Sequence, residues 1–197
     1  MTTGAPKARA TYQDVLDAPP DRIAEVIDGE LHLTPRPKRR HLRSASGLGA
    51  FLFGAFDVGA LGPGGWTILD EPEVHLGPEP DILVPELGGW RDGRLDDDGW
   101  NDDAFISVVP DWVCEMLSPS TLRVDRMKKM PIYARERVPH VWLVDPRERT
   151  VEVFRFGDPR YTLIGTFGGD DALVAEPFDA TPIPPAFLWG AKAPVGG

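Results

Sequence analysis

Sulfur chemistry is nearly absent from this sequence, which holds one cysteine, Cys114. One thiol excludes an internal disulfide framework and any cysteine-rich zinc site, and its place in an apolar stretch marks a small buried hydrophobe rather than a nucleophile. Long hydrophobic runs are missing too. Nothing approaches the roughly 18 apolar residues of a membrane span, and Met-Thr-Thr-Gly-Ala-Pro-Lys at the start has no apolar signal-peptide core, so a cytoplasmic protein is expected. Positive charge is scarce, with 21 Lys and Arg against 31 Asp and Glu and a net charge of -10. That argues against binding nucleic acid through the whole surface.

What basic charge there is comes in two blocks. Residues 36–43 carry Arg36, Lys38, Arg39, Arg40 and Arg43 with no acid, and residues 121–137 carry six Lys or Arg against Asp125 and Glu136. Both are expected on helices. Acid gathers over 86–103, where Asp96, Asp97, Asp98, Asp102 and Asp103 sit among glycines with Trp90 and Trp100, the pattern of a mobile loop that tucks its own tryptophans into the domain. With 197 residues, 42% hydrophobic, the simplest organisation is an N-terminal extension over 1–20, one domain with a sizeable core over 21–190, and a tail over 191–197.

Local patterns give the elements. Residues 11–18 predict a short helix capped by Thr11 and ended by Pro19-Pro20. Two apolar runs around Asp28-Gly29 predict a β-hairpin over 23–34. Leu42, Ala45, Leu48, Leu52 and Phe56 have helical spacing, although Gly47, Gly49 and Gly54 weaken that helix or let something pack close to it. Residues 66–76 read as one strand interrupted by Pro72, and Asp81 opens a short apolar strand. Residues 112–117 read as a buried strand, followed by a helix to about Arg137, kinked or started at Pro131, and by a strand over 140–145. Strand, helix and strand with short connections predict a right-handed crossover between parallel strands. Residues 151–156 and 161–167 alternate as an antiparallel edge pair, and the proline-rich segment from Thr181 is expected along the surface.

Glu115 is the outlier in this scheme. A carboxylate in mid-strand among Trp112, Val113, Cys114, Met116 and Leu117 needs a partner, a metal or a base. If Asp81 and Glu115 lie on neighbouring strands, they supply the hard oxygen ligands that Mg²⁺ prefers, with Mn²⁺ able to substitute. Lys129, about two turns into the next helix, can reach back to orient a water or stabilise transition-state charge.

The chain at this point resembles the Uma-two family of bacterial endonucleases. The resemblance runs through Glu25-Val-Ile-Asp-Gly-Glu-Leu, His41, Pro80-Asp81-Ile-Leu-Val, Glu115-Met-Leu-Ser-Pro-Ser-Thr, Asp125 with Lys129-Met-Pro-Ile-Tyr133-Ala-Arg, and Val138-Pro-His-Val-Trp142-Leu-Val-Asp145-Pro, across roughly residues 20–190. It implies an α/β restriction-endonuclease-like fold of the PD-(D/E)XK superfamily, a central mixed β-sheet flanked by helices with the N-terminal β-hairpin. It also implies Mg²⁺-dependent hydrolysis of DNA phosphodiester bonds, with Asp81 and Glu115 as metal-binding acids and Lys129 as the catalytic lysine. Two departures stand out. Leu117 occupies the place where the superfamily pattern has its lysine, so the role falls to a lysine on the helix, as it does in the family. Arg137 stands where the family has Gly before Val-Pro.

Other positions keep two readings. Glu25 joins the acids as a metal or water ligand, or pairs with an arginine. Arg39, Arg40 and His41 could meet a phosphate, although a lone His at a helix end is more often structural. Tyr133 is read as core packing or a hydrogen bond to a site residue, and Asp145-Pro146 as a turn. A homodimer suits an enzyme that cuts both strands of a duplex. The alternative function is a non-catalytic dimeric binding module that retains the nuclease fold.

Overall fold

The computed structural model describes residues 8–95 and 104–190. The chain opens with α1 (Tyr12–Leu16), where the Asp14 carboxylate accepts the Thr11 backbone N–H at 2.7 Å and closes the first turn. The hairpin β1 (Arg22–Ile27) and β2 (Glu30–Pro35) turns at Asp28-Gly29, both at positive φ, 52° and 75°, as a two-residue connection requires. Then come α2 (Arg39–Leu52), which runs into a π turn (Phe53–Asp57), and β3 (Trp66–Asp70), β4 (Val74–Leu76), β5 (Asp81–Leu83), β6 (Leu87–Arg91) and β7 (Trp112–Met116). α3 (Leu122–Val124), a π turn (Asp125–Lys129) and α4 (Met130–Arg135) are consecutive helical segments. Pro131 falls in the first turn of α4, so its missing donor lies where the hydrogen-bond ladder already shifts. The chain continues through β8 (His140–Asp145), β9 (Thr150–Phe156), β10 (Tyr161–Gly168) and α5 (Pro185–Trp189).

Two sheets result: six strands in the order β10-β9-β8-β7-β6-β3, and four in the order β2-β1-β5-β4. β7 and β8 are parallel, and the other pairs of the larger sheet are antiparallel. Alternation along β7 and β8 sorts the core. Trp112, Cys114, Met116, Trp142 and Val144 pack with Leu48, Leu52, Phe56, Phe178 and Leu188 on the α2 and α5 side. Val113, Val141 and Leu143 pack with Ile27, Leu76 and Leu83 of the smaller sheet and with Ile132 and Tyr133 of α4. Each fully buried aromatic contributes on the order of 2–3 kcal/mol. Glu115 alternates with Cys114 and Met116, so it turns toward the smaller sheet and α4.

Three expectations are corrected. Residues 66–76 are two strands in different sheets, β3 and β4, because the chain breaks at Glu71, with φ 45°, and Pro72. Residues 87–91, assigned above to the acidic loop, form β6 with Trp90 fully buried, its Nε1 donating to the Val108 carbonyl at 2.9 Å. The segment after Thr181 is packed rather than superficial. Leu173 and Ile183 exchange backbone hydrogen bonds, Ser44 Oγ donates to the Leu188 carbonyl at 2.6 Å, and a Cβ at Gly47 would stand 2.0 Å from the Phe187 carbonyl oxygen. That glycine is what lets α5 cross α2. The acidic run Asp96, Asp97, Asp98, Asp102 and Asp103, with Trp100, lies outside the described residues.

Candidate active site

Glu115 stands mid-strand in β7 and is 5% exposed. The helical segment that follows presents Asp125, Lys129 and Tyr133 to it, the i, i+4, i+8 positions of one face. Tyr133 donates its hydroxyl to Glu115 Oε1 at 2.5 Å, and Lys129 Nζ donates to both carboxylate oxygens at 3.3 Å. The same ammonium lies 2.8 Å from Glu25 Oε1 and 3.7 Å from Asp125 Oδ1. Glu25 comes from β1, and its Oε1 also accepts the Val84 backbone N–H at 2.9 Å. One cation therefore serves three buried carboxylates.

The electrostatics follow from that imbalance. Burial pushes Glu115 up to about 8, which the Lys129 charge and the Tyr133 hydrogen bond oppose in part. Burial also raises Asp125, with Lys129 again opposing. For Lys129 burial favours the neutral amine, but Glu115, Glu25 and Asp125 together win and hold it above its ordinary value. It is a fixed cation, unsuited to act as a base.

A further acid, the residue before β6, lines the same cavity. Leu87 pairs with Cys114 in the antiparallel register, so the preceding residue, Glu86, comes to the level of Glu115. Its side chain is 11% exposed and makes a short hydrogen bond to His41 Nε2 in the first turn of α2. Glu25, Glu86, Glu115, Asp125 and Lys129 all line one cavity of about 610 Å³. Arg36, Lys38, Arg40 and Arg147 line its walls.

The residues expected from sequence are thus divided. Glu115, Lys129 and Glu25 come together; His41 pairs with Glu86, and both line the same cavity. Asp81 does not. It sits in the four-stranded sheet, where Oδ1 accepts the Asp28 N–H at 2.6 Å and Oδ2 meets Arg135 Nη2 at 2.7 Å, and it is not part of the cavity wall. Its carboxylate closes the β1–β2 turn against α4. Arg39 and Arg40 are exposed at the start of α2, and only Arg40 reaches the cavity. Glu86 was missed, yet Pro85-Glu86 repeats the proline–acid signal of Pro80-Asp81 five residues later.

The fold and these groups can be set beside known proteins. A family model described as "Putative restriction endonuclease", Uma2, matches residues 9–181. The chain belongs to the Uma2 family. A crystal structure described as a "putative nuclease belonging to DUF820" from Anabaena variabilis is 22% identical, with a TM-score of 0.73 over 92% of this chain and 98% of its own. That likeness identifies the Uma2 chain's fold as restriction-endonuclease-like. No match was found among curated proteins. Among the described residues no helix of this Uma2 protein is long and apolar enough to cross a membrane.

Proposed function

We propose that this Uma2 protein hydrolyses phosphodiester bonds of DNA with a divalent cation, Mg²⁺ or Mn²⁺, held by Glu86 and Glu115. The observation that supports this reading is that those two carboxylates line one cavity with Lys129, and that the same cavity carries Arg36, Arg40 and Arg147, which among the described residues have no carboxylate within 4.0 Å. The donor set suits Mg²⁺, which takes one or two carboxylates and keeps several waters. Among the described residues no group of three or more His, Cys, Asp and Glu is placed to hold a metal ion by itself, so water and substrate oxygens would have to complete the coordination of an ion held by two carboxylates. When bound, such an ion lowers the pKa of a coordinated water and neutralises charge on the phosphoryl oxygens.

The protein groups have separate tasks. Lys129, held charged by Glu25, Glu115 and Asp125, places a fixed positive charge beside the scissile phosphate, where negative charge grows in the transition state. Tyr133 and His41 orient Glu115 and Glu86. Glu25 and Asp125 position the lysine. The reading assigned above to Asp81 passes to Glu86. A non-catalytic dimeric module is the second reading, and Phe53, Val58 and Leu61, 50%, 59% and 63% exposed around the π turn after α2, offer it an apolar surface.

The test is cleavage of supercoiled plasmid and of single-stranded oligonucleotides with Mg²⁺ or Mn²⁺, beside EDTA, Glu86→Gln and Glu115→Gln controls. Metal-dependent cutting that disappears in all three controls is expected. Equal behaviour of wild type and both variants on every substrate would leave the binding module.

A further inference from the structure

The two basic blocks of this acidic chain have different fates. Over 121–137, five of the six are paired, Arg126 with Glu152, Lys128 with Glu30, Lys129 with the buried acids, Arg135 with Asp81 and Arg137 with Asp158, and among the described residues only the exposed Arg123 has no carboxylate within 4.0 Å. Over 36–43, Arg36, Lys38, Arg39, Arg40 and Arg43 are all exposed, and among the described residues none has a carboxylate within 4.0 Å. The local charge is opposite to the net charge of -10. Such a patch attracts a polyanion.

Its geometry is continuous with the cavity. Arg40 lines the 610 Å³ cavity and also a second hollow of about 370 Å³ formed with Arg39, Arg43 and Trp189. Trp189 is half-buried and held in place, its Nε1 donating to the Gly169 carbonyl at 2.9 Å and the Arg149 guanidinium standing 6.0 Å from its ring centre. A fixed indole between free guanidinium groups is the combination that stacks a base while binding its phosphates. α5 lies beyond residues 9–181, the stretch the Uma2 model matches.

The depth of the acids then selects the form of the strand. Glu115 is 5% and Lys129 4% exposed. A phosphodiester in a stacked duplex cannot descend to groups so buried unless its strand leaves the stack, whereas a single strand can enter directly. A cavity of about 610 Å³ is of the size that takes a small molecule or nucleotide rather than a double helix.

We infer that the substrate is presented as single-stranded nucleic acid, with one nucleotide in the 610 Å³ cavity and the adjoining strand passing Arg40 to stack a base on Trp189 between Arg39 and Arg43. This rests on the nuclease reading above.

The experiment measures fluorescence anisotropy of a labelled 12-nucleotide single strand, and of the same sequence as blunt duplex, with the full chain in EDTA at several salt concentrations. The single strand binds at least about tenfold tighter, and Trp189→Ala loses about tenfold on it while Trp189→Phe retains most of the affinity. Arg39→Ala and Arg43→Ala, exposed changes that test the site even if Trp189→Ala fails to fold, each lower the slope of log affinity against log salt by about 0.7. Duplex binding as tight as single-strand binding, wild-type affinity in the folded Trp189→Ala and the arginine variants, or no binding to either form overturns the inference. Cleavage assays with Mg²⁺ and Mn²⁺ separate the two claims. Duplex cut as fast as single strand, with no effect of Trp189→Ala, removes the single-strand route and leaves the nuclease. Tight single-strand binding with no cleavage under any metal removes the nuclease and leaves the binding site.

Discussion

Asp81 and Glu86 begin alike and end differently. Each follows a proline at the start of a short strand, Asp81 as the first residue of β5 and Glu86 as the residue before β6, and they stand five residues apart, yet β5 enters the four-stranded sheet and β6 the six-stranded one. Asp81 is 1% exposed and has both oxygens engaged, by the Asp28 N–H and by Arg135. Among the described residues the His41 ring is the one side-chain partner of Glu86, which lines the same cavity as Glu115. The difference is one of partners rather than of residue type: a buried carboxylate engaged by a backbone donor and a guanidinium has little capacity left for a further ligand, and one with fewer partners on a cavity wall has more.

The strongest attempt to break this comparison exchanges the two acids for their amides. Glu86→Gln is expected to lower metal-dependent hydrolysis by about a thousandfold with little change in folding, because it removes a charge where transition-state charge is balanced. Asp81→Asn should leave turnover within about threefold, since its amide oxygen can still accept the Asp28 N–H. Turnover at saturating metal decides it, and the reverse ranking would return the first metal-binding acid to Asp81. Next in size is Lys129→Met. Glu25, Glu115 and Asp125 then lose their shared cation, and urea denaturation should show a loss of about 3 kcal/mol or more. A small loss would mean that the three acids are not charged together in the native state.

Why one acid was legible and the other was not has a physical answer. Glu115 was visible because an ionisable group in an unbroken apolar run is costly wherever the run goes. The hairpin at Asp28-Gly29 and the parallel β7–β8 crossover were visible because turn chemistry and short connections leave few alternatives. Glu86 was hidden with its strand. Leu87-Gly-Gly-Trp-Arg91 reads as a loop, but a Cβ on Gly88 would come within 2.9 Å of Pro72 Cγ, so that glycine serves close packing in β6. α5 was hidden by Pro182, Pro184 and Pro185, although Pro185 is at its first turn and Gly190, at φ 69°, ends it in the left-handed conformation. In both places proline and glycine acted as packing and capping residues. The partners that reveal this lie far away in sequence.

The structural half of the comparison can be measured by itself. Asp81→Ala leaves the Asp28 N–H without its 2.6 Å acceptor in a part-buried turn and should cost about 2 kcal/mol in denaturant titrations. Arg135→Gln should cost less, about 0.5 kcal/mol, because its side chain is 49% exposed and its ion pairs with Asp81 and Glu136 are screened by water. The double variant Asp81→Ala/Arg135→Gln is then expected to cost nearly what Asp81→Ala costs alone, since the ion pair is already gone when the acid is removed. That cycle assigns the buried carboxylate mainly to the backbone turn. If Arg135→Gln instead proved as damaging as Asp81→Ala, the ion pair to α4 would be the dominant contact, and Asp81 would belong to the wall that places Lys129 and Tyr133 rather than to the hairpin.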